Sequence, residues 1–155
     1  MLDSIARLLS ITVYTDKLPP NVGGAANAFV VRIRPKYRDD AGIHAHELVH
    51  VMQFWAVSAL AVIAIYAAIF LVQQSLGLVI QQPLGIAVLG FGLHSVLYDL
   101  VPAYRLRAEV QAYREQLRHY PDDRTELFAQ YLAQNYRLAI SPARAAQLLR
   151  GASNA

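Results

Sequence analysis

Alternating apolar and polar positions near the N-terminus predict two short strands, 11–16 (ITVYTD) and 28–37 (AFVVRIRPKY). Pro35 limits the second strand to a sheet edge or to its own end. Between the strands, LPPNVGG at 18–24 is typical of a turn. Residues 3–10 favour a short amphipathic helix or a strand lead-in. We therefore expect a short N-terminal β-hairpin or sheet.

The rest of the chain is predicted to be helical, which makes the fold class α+β and mostly helical. Asp39 or Asp40 could cap the first long helix. The QQSLGLVIQQP segment at 73–83 interrupts the pattern, and Pro102 could kink the helix that follows. Two long antiparallel helices and shorter C-terminal helices are thus expected. The predicted helices are 41–72, 84–119, 124–138 and 141–150.

The two long helices carry an unusually apolar segment. The chain is 55% hydrophobic and 16% charged, against about 45–50% and about 25% in soluble domains. No Asp, Glu, Lys or Arg occurs from Trp55 to Tyr98. The arms 55–72 and 84–101 would each span about 27 Å as helix, close to a hydrocarbon core of about 30 Å. We predict a transmembrane helical hairpin at 55–101; the alternative is a hairpin buried in a soluble protein or assembly.

Charge placement gives the expected orientation. All 14 Lys and Arg lie outside 55–98, so the positive-inside rule places both termini on the cytoplasmic side, most simply of a bacterial inner membrane. Association with a virion is the alternative. The first 20 residues lack the features of a secretory signal peptide, so we expect them in the mature fold. The net charge of +3, spread over both ends, gives no support to nucleic acid binding.

A candidate metal site lies just before the apolar segment, in HAHELVH at 44–50. On a helix His46 and His50 share a face, so both imidazoles can bind one ion. Glu47, about 100° round the helix, can face a water on that ion and act as general base. The chain has no cysteine, so further ligands must be histidine, carboxylate or water. Glu109, in the helical context YRLRAEVQAYREQ, is the candidate third ligand.

These segments resemble a known family. HELVHVMQ followed by RLRAEVQAY, with IRPKYRDD ahead of the first helix, is similar to the small gluzincin zinc metallopeptidase domains of bacteria and phages, the minigluzincin type. The resemblance covers 11–53 and 102–118 and implies Zn²⁺ on His46, His50 and Glu109, with Glu47 as base. It implies an edge strand along the substrate cleft. The chain is then a single metallopeptidase-like domain, 1–155, with 55–101 inserted between the active-site helix and the glutamate helix.

The position of the turn supports this pairing independently. If the two ligand-bearing helices pack side by side, their connection should lie midway between them in sequence. That midpoint falls inside the predicted break at 73–83.

Other polar residues near the motif have simpler interpretations. His44 points away from the paired histidines and is expected to cap or pack, and His94, in the apolar segment, to pack with a satisfied ring. Tyr104 or Tyr113 could stabilise an oxyanion, but packing is the simpler role. Related peptidases often place an acidic residue shortly after the third ligand to orient a histidine. Here the nearby candidates are Gln111 and Tyr113, which leaves that role unassigned.

Three functional hypotheses follow. The first is a zinc peptidase that hydrolyses peptide bonds of a peptide or protein substrate near a membrane surface, with lipid as a second partner. The second is a phage or membrane structural or insertion component that keeps the metallopeptidase scaffold with little or no protease activity. The third is a soluble homo- or hetero-oligomer whose hairpins pack together.

Overall fold

A computed structural model describes residues 2–151 of the chain, and its first residue and last four lie outside the described range. The fold is mixed α and β and mostly helical, as predicted. The elements are α1 (Leu2–Leu8), β1 (Ile11–Tyr14), β2 (Gly24–Asn27), β3 (Val30–Ile33), α2 (Ala41–Leu76), α3 (Pro83–Ala87), α4 (Leu93–Leu100), α5 (Pro102–Leu117), α6 (Thr125–Asn135) and α7 (Pro142–Arg150), with 3-10 turns at Pro35–Tyr37 and Val88–Gly92.

The sheet has three strands in the order β1-β3-β2, with β1 parallel and β2 antiparallel to β3. The predicted N-terminal hairpin or sheet is therefore a sheet, because β1 and β3 are parallel and the third strand, β2, begins in the segment predicted as a turn. The sequence GAAN of β2 has no β-branched or aromatic residue, so no strand signal marks it. Val31 and Ile33 of the central strand are buried against α2. Pro35 lies just after this central strand. Of the two positions predicted for it, Pro35 therefore occupies the end of a strand and not a strand at the sheet edge.

Helix α2 carries the histidines and continues into the apolar segment. Asp40 caps it by accepting a hydrogen bond from the Ile43 backbone N–H at 3.0 Å. The helix has 36 residues, or about 54 Å. It continues through the glutamines at 73 and 74, so the predicted stop there was early. Gly77 ends it at φ 62, a left-handed conformation that glycine adopts freely.

The second arm of the hairpin differs from the single helix expected over 84–119. It is built from α3, the 3-10 turn Val88–Gly92 and α4, and the chain is extended at Val101 before α5 begins. A proline disfavours the helical conformation of the residue before it, so Pro102 ends α4 and starts α5. The bend turns the glutamate helix back along α2.

The two arms pack closely at one glycine. A Cβ added at Gly90 would lie 2.8 Å from the Val62 backbone nitrogen and 3.0 Å from Ala61. Beside this contact Ser58 Oγ donates to the Phe91 carbonyl at 3.2 Å. The 3-10 turn thus lies against the α2 backbone, where only glycine fits.

Most of the hairpin surface is apolar and exposed. Ala41–Leu76 and Pro83–Leu100 are both long and apolar enough to cross a membrane, and only 11% and 17% of their apolar windows are buried. Core helices of soluble proteins are mostly buried, so low burial distinguishes these two. Large exposed apolar side chains occur on both arms: Leu60, Ile63, Phe70, Leu71, Leu76, Leu84, Leu89, Val96 and Leu100.

The C-terminal helices hold α5 in place. Arg105 of α5 donates to the carbonyls of Tyr98 at 2.7 Å and Tyr136 at 3.0 Å, which ties the end of α4 to the segment after α6. A core of buried residues on α5, α6 and α7 backs the glutamate helix. Its largest members are Val110, Tyr113, Phe128, Leu132 and Leu149.

Candidate metal centre

The fold brings His46, His50 and Glu109 together from helices α2 and α5. His46 and Glu109 are 6% and 1% exposed. The His46 and His50 Nε2 atoms are 3.2 Å apart. Glu109 Oε2 lies 3.5 Å from His46 Nε2, and Glu109 Oε1 lies 3.3 Å from His50 Nε2. These are the residues that the spacing of the sequence singled out.

The donor set fits a metal ion. A tetrahedral ion with bonds of about 2.0–2.1 Å keeps its ligand atoms about 3.3–3.4 Å apart. The two histidine Nε2 atoms are 3.2 Å apart, and each has a different oxygen of Glu109 at a comparable distance. Glu109 Oε2 is buried without a hydrogen-bond partner, although such an atom is costly to leave unsatisfied. The group could therefore hold an ion on two imidazoles and one carboxylate.

The second ring nitrogen of His50, Nδ1, contacts Gln53, a residue that the sequence analysis did not select. His50 Nδ1 lies 3.0 Å from Gln53 Oε1. The Gln53 amide nitrogen donates to the Ala108 carbonyl at 3.2 Å and to Gln111 Oε1 at 3.0 Å. Gln111, two residues after Glu109, thus acts on His50 through Gln53. The contact between these two side chains could have been predicted from the sequence, because residues 50 and 53 share a helix face.

The hairpin itself contributes a group to the site. The Tyr98 hydroxyl, on α4, donates a hydrogen bond to Glu109 Oε1. No sequence rule pairs these two residues, because the extended residue Val101 separates their helices. The contact places a residue of the second apolar arm directly on the carboxylate.

Glu47 lies on the adjoining face of α2, under the edge of the sheet. It is 5% exposed. A Cβ added at Gly24 would meet Glu47 Oε1 at 2.7 Å and Cγ at 3.0 Å, so the glycine leaves room for this carboxylate in its present position. Burial raises the pKa of Glu47, while nearby His46 and His50 and the Ala26 backbone N–H partly oppose that rise.

In the His50–Glu109 pair, each side chain stabilises the charged form of the other. Burial alone would lower the pKa of His50, but the Glu109 charge and hydrogen bond outweigh it and raise that pKa to about 9. Burial likewise opposes ionisation of Glu109, yet the neighbouring histidines hold the pKa of its carboxyl well below the usual range. Without a metal, both partners are therefore charged, and a bound cation would take the place of the His50 proton, since imidazole binds a metal only in its neutral form.

The other residues considered from the sequence mostly pack. His44 Nε2 lies 2.8 Å from the Arg38 carbonyl, away from the paired histidines. His94 Nδ1 lies 2.7 Å from the Tyr104 hydroxyl, so both are satisfied. Tyr113 packs edge-on against His46 at 4.5 Å between ring centres. Its hydroxyl lies 2.9 Å from that of Tyr136.

A cavity of about 820 Å³ opens over the three ligand candidates and Glu47, within the usual range of ligand pockets. One wall is the β2 segment and the opposite wall is α4. The cavity also reaches the C-terminal helices. Residues at its walls include Gly24, Ala26, Asn27, His94, Ser95 and Tyr98.

Comparison with known proteins returned no relationship. No family model matches the chain, and no curated protein or solved structure matches it.

Proposed function

We propose that the protein is a zinc-dependent peptidase of the gluzincin type that hydrolyses peptide bonds close to a membrane surface. The observation that carries this proposal is the joint placement of Glu47 and the His46, His50 and Glu109 group at the floor of one cleft. A buried structural metal would need neither the cleft nor an adjacent carboxylate outside the ligand group.

Zinc is the proposed ion because of the donors and their spacing. Two histidines and one glutamate leave a fourth tetrahedral position open, which is the arrangement of catalytic zinc sites. Two histidines and a carboxylate also suit Fe(II), usually with a more open, six-coordinate geometry. Adjacent ligands of a six-coordinate ion meet at about 90° and lie closer together than those of tetrahedral zinc, and the separations of 3.2–3.5 Å are nearer to the tetrahedral spacing.

The proposed chemistry assigns each residue a role. When bound, zinc would polarise the scissile carbonyl and lower the pKa of a water towards about 7. Glu47 is placed to act as general base and acid: it would accept a proton from the attacking water and deliver it to the leaving nitrogen. Gln53 holds the His50 ring in position, and Tyr98 holds the Glu109 carboxylate.

The free edge of β2 is proposed to bind the substrate backbone. The Arg34 backbone N–H donates to the Gly23 carbonyl at 2.9 Å, so the antiparallel alternation turns the polar groups of Gly24 and Ala26 away from β3. These backbone groups face the cleft, and Glu47 lies at the floor of that cleft. The Ala26 N–H is bonded to Glu47, so an extended peptide could pair with the Gly24 N–H and with the Gly24 and Ala26 carbonyls as an added strand.

The membrane assignment belongs to the same proposal. The apolar part of α2 begins at Trp55, about 7.5 Å along the helix from His50. With the hairpin in lipid, the cleft lies at the bilayer surface, where the end of α4 forms one of its walls. The positions of the basic residues favour the cytoplasmic face.

Elemental analysis tests the metal assignment. Purified protein should contain one zinc per chain, and His50→Ala combined with Glu109→Ala should remove it. His44→Ala is the matched control, since His44 lies on the same helix and contacts Arg38 instead. Zinc retained by the double variant would refute the ligand set, and iron in its place would refute the metal.

Glu47→Gln tests the reaction. The amide keeps the shape of the side chain but cannot accept a proton, so zinc and fold should persist while hydrolysis falls by about 10²–10⁴-fold. Wild-type turnover in this variant would overturn the mechanism. Zinc binding without hydrolysis of any peptide would instead favour the structural-component hypothesis.

A further inference from the structure

The cleft has one wall in the soluble part of the protein and one wall in the hairpin. The first wall is the free edge of β2. The second is α4, which exposes Ser95 to the cleft and reaches the site through Tyr98. A substrate segment in this cleft would therefore contact the hairpin.

The direction of β2 relates this cleft to the proposed bilayer. Asn27, the last residue of β2, pairs with Val30. In the turn between β2 and β3, Phe29 stacks on Trp55 at 6.2 Å between ring centres, and Trp55 contacts Phe91 of the hairpin at 5.9 Å. The Asn27 end of β2 therefore lies where α2 enters the apolar zone.

The opposite end of β2 lies far from that boundary. Gly24 pairs with Ile33. A Cβ added at neighbouring Gly23 would meet Ile43 and Tyr37 at 3.2 Å. Ile43 precedes Trp55 by twelve helical residues, or about 18 Å. A chain paired along β2 thus runs between the bilayer surface and the distal end of the domain.

We infer that the substrate is a polypeptide anchored in the same membrane, with its anchor on the N-terminal side of the scissile bond. This inference rests on the proposed peptidase function. A segment on β2 leaves the Asn27 end directly at the proposed bilayer surface. A substrate anchored in that bilayer would reach the cleft without leaving the membrane for the surrounding water.

The polarity follows from strand pairing. Antiparallel pairing is slightly the more stable arrangement per residue. Because β2 runs from Gly24 towards the bilayer at Asn27, an antiparallel substrate runs from the bilayer outwards. Its N-terminal part is then the membrane-proximal part, which places the anchor before the cleaved bond.

Hydrolysis in vesicles tests the inference. The full chain, zinc-loaded and reconstituted in phosphatidylglycerol-containing vesicles, is given one randomised reporter segment in three forms. The segment follows a transmembrane helix, precedes the same helix, or is free in solution. The form with the helix first should be cleaved at least about tenfold faster than the other two, because anchoring raises its effective concentration in the productive direction. Equal rates for the three forms, or faster cleavage with the helix last, would overturn the inference.

Crosslinking supplies a readout that does not depend on turnover. The chain has no cysteine, so Asn27→Cys and Asn21→Cys, introduced separately with Glu47→Gln, give unique thiols at the two ends of the β2 edge. Both positions are exposed and line the cleft. A cysteine beside the anchor of the helix-first substrate should crosslink to Asn27→Cys at least about tenfold more than to Asn21→Cys.

The two measurements separate the possible failures. Selective crosslinking without hydrolysis by the wild-type chain would refute the peptidase proposal and support the anchored partner. Glu47-dependent hydrolysis with equal crosslinking at both ends would refute the anchored substrate and leave the peptidase standing. Preference for Asn21→Cys would refute the direction of binding.

Discussion

The Tyr98 hydroxyl donates a hydrogen bond to Glu109 Oε1, so a residue of the apolar hairpin holds a carboxylate of the candidate metal site. The contact joins the two parts of the protein that the sequence presents as separate. Arg105 supports it by binding the Tyr98 carbonyl at 2.7 Å.

Tyr98→Phe should weaken metal binding while the chain stays folded. Loss of the hydroxyl leaves Glu109 less well oriented, and removal of such outer partners typically costs about 10–100-fold in affinity. Competition with a chelator measures this change. Tyr66→Phe is the matched control, because Tyr66 is 46% exposed on the hairpin. Equal affinities for the two variants would contradict the positioning role.

Gln53→Ala should also weaken metal binding by about 10–100-fold, since it removes the partner of His50 Nδ1. Gln111→Ala should have a smaller effect, because Gln53 keeps its bond to the Ala108 carbonyl. The same competition with a chelator shows which of the two variants binds the metal more weakly. A larger loss in Gln111→Ala would show that the histidine is oriented by another route.

Gly90→Ala should destabilise the hairpin. Its Cβ would lie 2.8 Å from the Val62 backbone nitrogen, and backbone cannot move aside as a flexible side chain can. Overpacking of this kind costs about 1–3 kcal/mol, measurable as the free energy of unfolding in detergent. Gly92→Ala is the control, because nothing lies within 4 Å of its added Cβ. A Gly90→Ala variant as stable as Gly92→Ala would exclude close packing of the arms.

Insertion of the hairpin in lipid can be tested with Ala64→Asp and Val88→Asp. Both positions are exposed. Ala64 is at the middle of the first arm, so Asp there should cost roughly 2.5–3.5 kcal/mol of insertion, and Val88, nearer to the end of the second arm, should give a smaller cost. Gln130→Asp, on an exposed face of α6, should cost nothing. Wild-type chain should resist carbonate extraction and need detergent for purification. Release by carbonate and purification without detergent would support the soluble oligomer instead.

Tyr120 joins the end of α5 to the start of α2. Its hydroxyl donates to Asp40 Oδ1 at 2.7 Å, and burial chiefly raises its pKa to about 12. Tyr120→Phe should cost about 1 kcal/mol of unfolding free energy at neutral pH. Since the folded-state pKa lies above the ordinary 10.0, this stabilisation is complete below pH 10 and lost as pH rises towards about 12. The wild-type advantage over Tyr120→Phe should therefore shrink in that range, and a constant difference would contradict the assignment.

The sequence by itself determined the features that depend on local periodicity and composition. Helical spacing predicted that His46 and His50 share a face, and an apolar segment free of charge predicted two arms long enough for a membrane. The position of the break between the arms predicted that α5 returns beside α2 and carries Glu109 to the histidines. The zinc, the reaction and the substrate remain predictions.

Only the tertiary structure decided the contacts between elements distant in sequence. GAAN at 24–27 becomes a strand because β3 offers it a partner, not because its residues favour strands. The support of Glu109 by Tyr98, and the contacts of Gln53 with Ala108 and Gln111, depend on the angle between helices. That angle is set by Pro102 and by the fit of Gly90 against α2, since packing forces depend on the shapes of both partners and no single segment encodes them.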